Sequence, residues 1–220
     1  MHAPRSCRLT LAQAGVSLAA IMTAIMTAKT DIQDMLERYN CPHTVAVVRM
    51  RFWGAINSPA AHISPIEEID HLWRGKMRRF ENADEAQAFY DVIIRFWNSL
   101  AENRTSGKPV AFAVRSGLKT IDGLKSAIAS RHVELDDGFF SGFIGNLRRD
   151  DPVDSRISDN LDKLTNVIEE IEDLLERPIG PSNANKIRSR FVALDKRAQK
   201  LVNQLVMQTW VAARGSQTMH

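Results

Sequence analysis

Apolar residues recur most regularly in the last third of the chain, between residues 155 and 214. They follow one another at intervals of four, three, four, three and four residues in two successive runs: Ile157, Leu161, Leu164, Ile168, Ile171 and Leu175, and then Ile187, Phe191, Leu194, Ala198, Leu201 and Leu205. This spacing places each run along one side of an α-helix, as in a coiled-coil seam. Between the runs, Pro178, Gly180 and Pro181 prevent one helix from continuing into the other. The pattern therefore predicts an antiparallel helical hairpin at residues 151–220.

Charge supports the pairing of these two helices. Residues 159–176 contain seven acidic residues and one basic residue, whereas residues 186–200 contain six basic residues and one acidic residue. An acidic helix beside a basic one gains ion pairs at the positions that flank the seam, and each exposed pair contributes at most about 1 kcal/mol. We therefore expect the charges to fix the register of the hairpin more than its stability.

Capping sequences divide the preceding residues into shorter helices. In Ser64-Pro65-Ile66-Glu67, the serine can cap the helix and the proline suits its first turn. The glutamate side chain can accept a hydrogen bond from the backbone amide of the capping serine. Similar capping residues stand at Thr30, Asn82 and Thr120. The apolar residues 45–56 are compatible with a strand, but their length and neighbours favour a buried helix.

These elements predict an all-α protein, a helical bundle with a C-terminal antiparallel helical hairpin. Residues 103–119 are rich in Gly, Ser and Pro and are interpreted as an internal linker. We divide the chain into an N-terminal apolar segment at 1–29, a helical domain at 30–150 and the hairpin at 151–220.

The N-terminal segment has several interpretations. Residues 9–28 carry no charge and have about the ~20-residue length of a membrane span. Six polar or glycine positions dilute the apolar character, which argues against a span, and the cleavage pattern of a signal peptide is poor. The favoured interpretations are a helix packed on the core, or a start codon placed too early with Met22, Met26 or Met35 as the first residue.

Composition narrows the class of protein. Of the 220 residues, 44% are hydrophobic and 25% are charged, which is ordinary for a globular domain. The net charge of +3 is far below that of a dedicated nucleic-acid-binding protein. The two cysteines, Cys7 and Cys41, form no CxxC motif, so a disulfide scaffold and a cysteine zinc site are excluded and a cytoplasmic location is expected.

Motifs for catalysis are scarce in this sequence. Glu68 and His71 form one ExxH, half of the signature of a di-iron bundle, and no second copy accompanies it. HExxH, GxSxG and GxGxxG are missing. We interpret the pair as a surface carboxylate and histidine, and the sequence predicts a protein that is not an enzyme and holds no cofactor or metal.

Three features are candidates for binding a partner. Trp73, with Arg78 and Arg79 nearby, could form a basic and aromatic patch for nucleic acid, or a solvated connection between two capped helices. Phe139, Gly142 and Phe143 belong to an alternation of glycine and phenylalanine that lets two helices approach closely, as a packing or dimer face. Trp210, Val202 and Val206 lie towards the end of the last predicted helix. A helical hairpin leaves such positions available to a partner.

Several blocks of sequence resemble a known family. They are Phe52-Trp53-Gly54-Ala55-Ile56-Asn57-Ser58-Pro59, Pro65-Ile66-Glu67, Leu72-Trp73-Arg74-Gly75, Glu85-Ala86-Gln87-Ala88-Phe89 and Arg95-Phe96-Trp97-Asn98, with a fainter match at Asp137-Gly138-Phe139 and Gly142. Together they are similar to the conserved half of the YecA/YgfB-like family of bacterial proteins. The chain departs from that pattern at Met50-Arg51, where an Asp-Gly is usual, and at Glu68, where tryptophan is common. The resemblance implies an all-helical, dimeric bacterial protein of unassigned activity and supplies no catalytic residues.

We therefore predict a non-enzymatic helical protein that dimerises and binds another protein, whose identity the sequence does not contain. A nucleic-acid-associated regulator that uses basic patches is the alternative. A metal-dependent enzyme built on Glu68 and His71 is a third hypothesis.

Overall fold

A computed structural model describes residues 31–60, 63–74, 76–77, 79–105, 108–147 and 153–217, with side chains as far as Val211. The described residues are 75% helical and contain no strand, which confirms the all-α class. The helices are α1 (31–38), α2 (Val45–Ile56), α3 (Pro65–Trp73), α4 (Ala83–Thr105), α5 (Ile121–Val133), α6 (Ser141–Gly145), α7 (Ser155–Glu176) and α8 (Ala184–Gln217), and a π-helical segment, Glu134–Phe140, joins α5 to α6.

Helix α2 lies at the centre of the N-terminal helices. It begins at Thr44, whose side-chain oxygen accepts a hydrogen bond from the amide of Val47, and it buries side chains around most of its circumference. Such a helix has no polar face because α3, α4, α6 and the π-helical segment all pack against it. The prediction of a buried helix at these residues is confirmed.

Glycines allow the backbone of α2 to approach the π-helical segment and α6 closely. A Cβ atom on Gly54 would lie 2.2 Å from the carbonyl oxygen of Phe139, and one on Gly142 would lie 2.1 Å from the carbonyl oxygen of Arg51. Both distances are far below van der Waals contact with a backbone atom that cannot rotate away. Glycine is therefore required at these two crossings.

The glycine and phenylalanine alternation is thus a packing face within one chain. Phe139 and Phe143 are fully buried, with ring centroids 5.6 Å apart, and Gly142 is buried against α2. Their assignment as a partner-binding or dimer face is corrected, because side chains without solvent exposure cannot contact a second molecule. The alternative that they serve packing describes the structure.

Helices α7 and α8 run antiparallel. The Nδ2 atom of Asn160 donates to Oε1 of Gln208 at 3.1 Å, and Arg190 donates to Glu170 at 2.8 Å, so residues late in α8 lie beside residues early in α7. The predicted seam on α8 is buried at all six positions, namely Ile187, Phe191, Leu194, Ala198, Leu201 and Leu205.

The seam on α7 differs from the prediction by a small rotation of the helix. Leu174 is 1% exposed, whereas Leu175 is 37% exposed. The buried positions are Ile157, Asn160, Leu164, Val167, Ile168, Ile171 and Leu174. The predicted and the observed positions both follow an alternation of three and four residues from Ile157. The observed alternation was not recognised in the sequence because one of its positions, Asn160, is polar.

Ion pairs between the two helices are few. Among the described residues, Glu170 pairs with Arg190 and Arg197, at 2.8 and 3.3 Å, and these side chains are partly exposed. Arg188 instead donates to the carbonyl oxygens of Leu118 and Lys119. The hydrophobic seam therefore holds the hairpin together, since each exposed pair contributes only about 0–1 kcal/mol.

Residues 109–115, which we call the strap, lie alongside α8 in a non-helical conformation. They belong to the segment interpreted as a linker. Val110 is hydrogen-bonded to Asn203, and the later residue Leu118 is hydrogen-bonded to the earlier residue Arg188. The chain therefore runs antiparallel to α8. The backbone of the strap is bonded to helices that lie far from it in sequence, whereas a linker would be solvated.

A fully buried arginine connects these parts. Arg131 of α5 donates to Asp195 of α8 at 2.5 Å, to Glu134 at 2.6 Å and to the carbonyl oxygen of Ala113 at 2.9 Å. Burial lowers the pKa of Arg131, although the charges of Asp195 and Glu134 oppose this shift in part. Because each of its nitrogens has a partner, the guanidinium tolerates burial.

The hairpin and the N-terminal helices share one hydrophobic core, in which α5 contacts both α7 and α8. The division at residue 150 stays a prediction. No helix in the described part of the chain is long and apolar enough to cross a membrane. The N-terminal segment, residues 1–29, lies outside the described residues.

Two glycines three residues apart in α6 test the close approach to α2. We expect Gly142→Ala to lower the free energy of unfolding by about 1–3 kcal/mol, because the new methyl group overlaps the carbonyl of Arg51. Gly145→Ala is the matched control, since nothing lies within 4 Å of its Cβ position, and it should be neutral or stabilising by up to about 1 kcal/mol. Urea denaturation measures both; equal effects would contradict the packing.

Candidate functional site

The structure separates the residues that the sequence assigned to partner binding. Trp73 is buried, and its Nε1 donates to the carbonyl oxygen of Tyr39 at 2.8 Å. Arg79 is exposed and Arg78 lies outside the described residues. Trp210 is half-buried on α8. Val202 and Val206, expected to be accessible, are buried.

Two aromatic residues lie next to the basic residues of the patch: Trp73 is buried and Phe80 is half-buried. Phe80 lies among other rings, with its centroid 5.6 Å from that of Tyr39 and 5.2 Å from that of Phe89. Trp73 lies 5.5 Å from Phe89 in the same cluster. The rings stabilise the packing of α1, α3 and α4 instead, and Trp73 is corrected from a binding residue to a core residue.

Glu68 and His71 belong to an ion-pair network. Glu68 is 0% exposed; Arg51 donates to it at 2.8 Å and Asn146 at 2.8 Å, while Nδ1 of His71 lies 3.7 Å away. The interpretation as a surface pair is wrong for Glu68, because α2 and α6 cover it. Within the described ranges, no three His, Cys, Asp or Glu side chains are grouped as ligands for a metal ion.

An open depression of about 580 Å³ lies above this network. Arg51, Asp70, His71, Arg74 and Ser141 are among its lining residues. Nearby, burial lowers the pKa of His43, an effect that Arg74 and Arg51 reinforce and Asp137 opposes. The charged residues that line the depression are of both signs, with Arg51 and Arg74 against Asp70.

An apolar surface near the end of α8 is the strongest candidate for binding. Met207 is 51% exposed and Val211 is 56% exposed, and the half-buried Trp210 lies between them. Residues four apart share one side of a helix, so Met207 and Val211 form a stripe that points away from the seam. We call Met207, Trp210 and Val211 the α8 surface.

A small cavity of about 50 Å³ adjoins the α8 surface. Its walls include Arg104, Pro109, Val206, Met207 and Trp210. Burial lowers the pKa of Arg104, which donates to the carbonyl oxygen of Ile56. The α8 surface is thus an apolar stripe beside a cavity.

Basic residues border the α8 surface. Lys108 lines the small cavity, and Lys200 lines a neighbouring open groove that also includes Met207. Both lysines are exposed. The surface therefore suits a partner with an apolar stripe and acidic neighbours.

Sequence reasoning identified Trp210 but missed Met207 and Val211. The signal was present, because both residues are apolar and four positions apart, yet neither falls on the seam series that ends at Leu205. Lys108 could not be found from the sequence, since it reaches this surface only through the path of the strap.

No family model, no characterised protein and no solved structure matches this chain. The resemblance to the YecA/YgfB-like family therefore stays a prediction.

The Glu68 network yields a stability test. We expect Glu68→Gln to lower the free energy of unfolding by about 2 kcal/mol, below the ~3–5 kcal/mol of fully buried pairs, because Arg51 keeps some contact with water. Glu67→Gln, on the exposed side of the same helix, should cost less than about 1 kcal/mol. Chemical denaturation compares them. A rise in Tm with Zn²⁺ that Glu68→Gln abolishes would contradict a purely structural role.

Proposed function

We propose that this chain is a non-enzymatic helical protein that acts by binding another protein, and that it associates with a second copy of itself. The observation that carries the proposal is the α8 surface. Two large apolar side chains with more than half of their area exposed lie next to a half-buried tryptophan and a cavity. Exposed apolar groups clustered in this way are typical of protein-interaction sites.

Burial of the alternative sites supports the same conclusion. Glu68, the carboxylate of the only motif that suggested metal chemistry, is committed to Arg51 and Asn146. Trp73, the aromatic residue that suggested nucleic-acid stacking, lies within the core. Binding through apolar contact is therefore favoured over catalysis and over base stacking.

Self-association through this surface should be weak. An isologous contact brings an apolar patch against its own copy, which satisfies the patch on both molecules. Three side chains cover much less than the ~800 Å² per partner of a standard stable interface. We expect a dimer that forms at high micromolar concentration and that a larger heterologous partner displaces.

We also propose membership of the YecA/YgfB-like family. What supports it is that the matching blocks are in contact: Gly54, from the first block, packs against Phe139, from the last. Trp73 and Phe89, from two further blocks, lie 5.5 Å apart. The resemblance therefore covers one packed unit whose parts are far apart in sequence.

A double variant tests the role of the α8 surface. We expect Met207→Glu with Val211→Glu to abolish self-association, because the apolar contact is lost and carboxylates buried in its place lose solvation. Gln204→Glu, exposed one turn earlier on α8, is the control and should retain it. Sedimentation velocity over a concentration series up to roughly 100 µM measures the dimer.

Two results decide the proposal. A concentration-dependent rise in sedimentation coefficient that the double variant removes would support it. A wild-type protein that stays monomeric throughout, and that captures the same proteins from its host extract as the double variant does, would overturn it.

A further inference from the structure

The strap is bonded to α8 along one edge of its backbone. The amide of Val110 donates to Oδ1 of Asn203 at 2.8 Å, and Nδ2 of Asn203 donates back to the carbonyl oxygen of Val110 at 3.2 Å. Gln199 donates to the same carbonyl oxygen and accepts from the amide of Phe112 at 2.8 Å. The side-chain amides of Gln199 and Asn203 thus form the hydrogen bonds that the backbone of a neighbouring strand would form.

The other edge of the strap is bonded to two further helices. Arg49 of α2 donates to the carbonyl oxygen of Ala111 at 3.3 Å, and Arg131 of α5 donates to that of Ala113 at 2.9 Å. Hydrogen bonds that point to opposite sides at successive residues are typical of an extended strand. Side chains of three helices are therefore aimed at four successive residues of extended backbone.

Three residues of the strap contact the groove through their side chains, and one of them, Arg115, pairs with Glu134 at 2.6 Å. Val110 is 2% exposed within the core, and the ring of Phe112 lies under the guanidinium of Arg131 at 4.2 Å. In contrast, Ala111 is exposed and Val114 is 97% exposed. The groove thus holds an aliphatic residue and an aromatic residue two positions later, and the residue between them faces water.

The hydrogen bonds from α2, α5 and α8 described above go to the backbone of the strap and do not require its sequence, whereas the ion pair of Arg115 does. Backbone bonds that give affinity, combined with pockets for alternate side chains, are the mode by which proteins bind extended peptides. A connection that merely joins two helices over the surface requires neither.

We propose that the groove formed by α2, α5 and α8 is a binding site for extended peptides with an aliphatic-x-aromatic sequence, and that the strap is its resident, displaceable occupant. The groove adjoins the α8 surface, since Pro109 and Asn203 also line the small cavity. Its occupant does not depend on the function proposed for that surface. A partner carrying such a segment replaces the strap, which keeps the groove closed until then.

The occupant determines how tightly an added peptide binds. An intramolecular segment competes at a high effective concentration, so the apparent Kd of an added peptide is its intrinsic Kd divided by the fraction of open groove. Phe112→Ala weakens the strap while leaving the groove residues in place. The half-buried position of Phe112 makes this substitution compatible with folding.

The experiment uses a fluorescein-labelled peptide with the sequence of residues 108–115, titrated with the full chain and followed by anisotropy. We expect binding to Phe112→Ala to be at least about tenfold tighter than to wild type. A peptide of the same composition, in which Phe112 and Ala113 exchange places, is the control. It should not bind, because the aliphatic and aromatic side chains are then three positions apart and point to opposite faces of an extended chain.

Two further variants, built on Phe112→Ala, locate the binding. Gln199→Ala with Asn203→Ala removes the amides and should abolish it. Val211→Glu, about two turns of α8 beyond Asn203, should leave it unchanged, so that a failure of the peptide groove and a failure of the α8 surface are distinguishable. If the amide variant does not fold, chemical-shift changes of the Gln199 and Asn203 side-chain amides on adding peptide to Phe112→Ala replace it.

The outcomes are unambiguous. Tighter binding to Phe112→Ala that requires the amides, or amide shifts caused by the peptide and not by its control, supports the proposal. Absence of binding to Phe112→Ala, equal binding of both peptides, or binding that survives loss of the amides overturns it.

Discussion

The buried guanidinium of Arg131 is the interaction on which the remaining structure depends. It joins α5 to α8 through Asp195, to the π-helical segment through Glu134 and to the strap through Ala113. Breaking a buried charge network by removing one partner typically costs about 3–5 kcal/mol, a large part of the stability of a single domain. Replacement of Arg131 by an apolar side chain of similar volume would remove this partner from Asp195 and would leave Glu134 paired with Arg115.

The location of this network explains how the two proposed binding surfaces are arranged. Because Arg131 fixes α5 against α8, the groove between them has a defined width, and the strap can be bonded from both sides. The strap in turn places Lys108 and Pro109 beside Trp210, which completes the wall of the small cavity. Gly54 and Gly142 allow α2 to pack closely on its neighbours. From this position Arg49 of α2 donates a hydrogen bond to the strap.

Much of the fold was predictable from periodicity and capping, and most of the site was not. The helix at Val45–Ile56 and the seam of α8 follow from residues close in sequence. The difference between Leu174 and Leu175 does not, because it depends on how α7 rotates against α5. Arg131 looks like any surface arginine in a helical pattern, and the role of the strap arises from bonds between residues more than eighty positions apart.

The central claim is that Arg131 unites the hairpin with the N-terminal helices into one cooperative unit. Native-state hydrogen exchange tests it most directly, since it reports the free energy at which each segment opens. We expect the slowest amides of α5 and α8, around Ile128 and Ala198, to exchange through one opening, with free energies equal within about 0.5 kcal/mol. Exchange of the α7 and α8 amides through a separate opening of clearly lower free energy, while α5 stays protected, would contradict the claim.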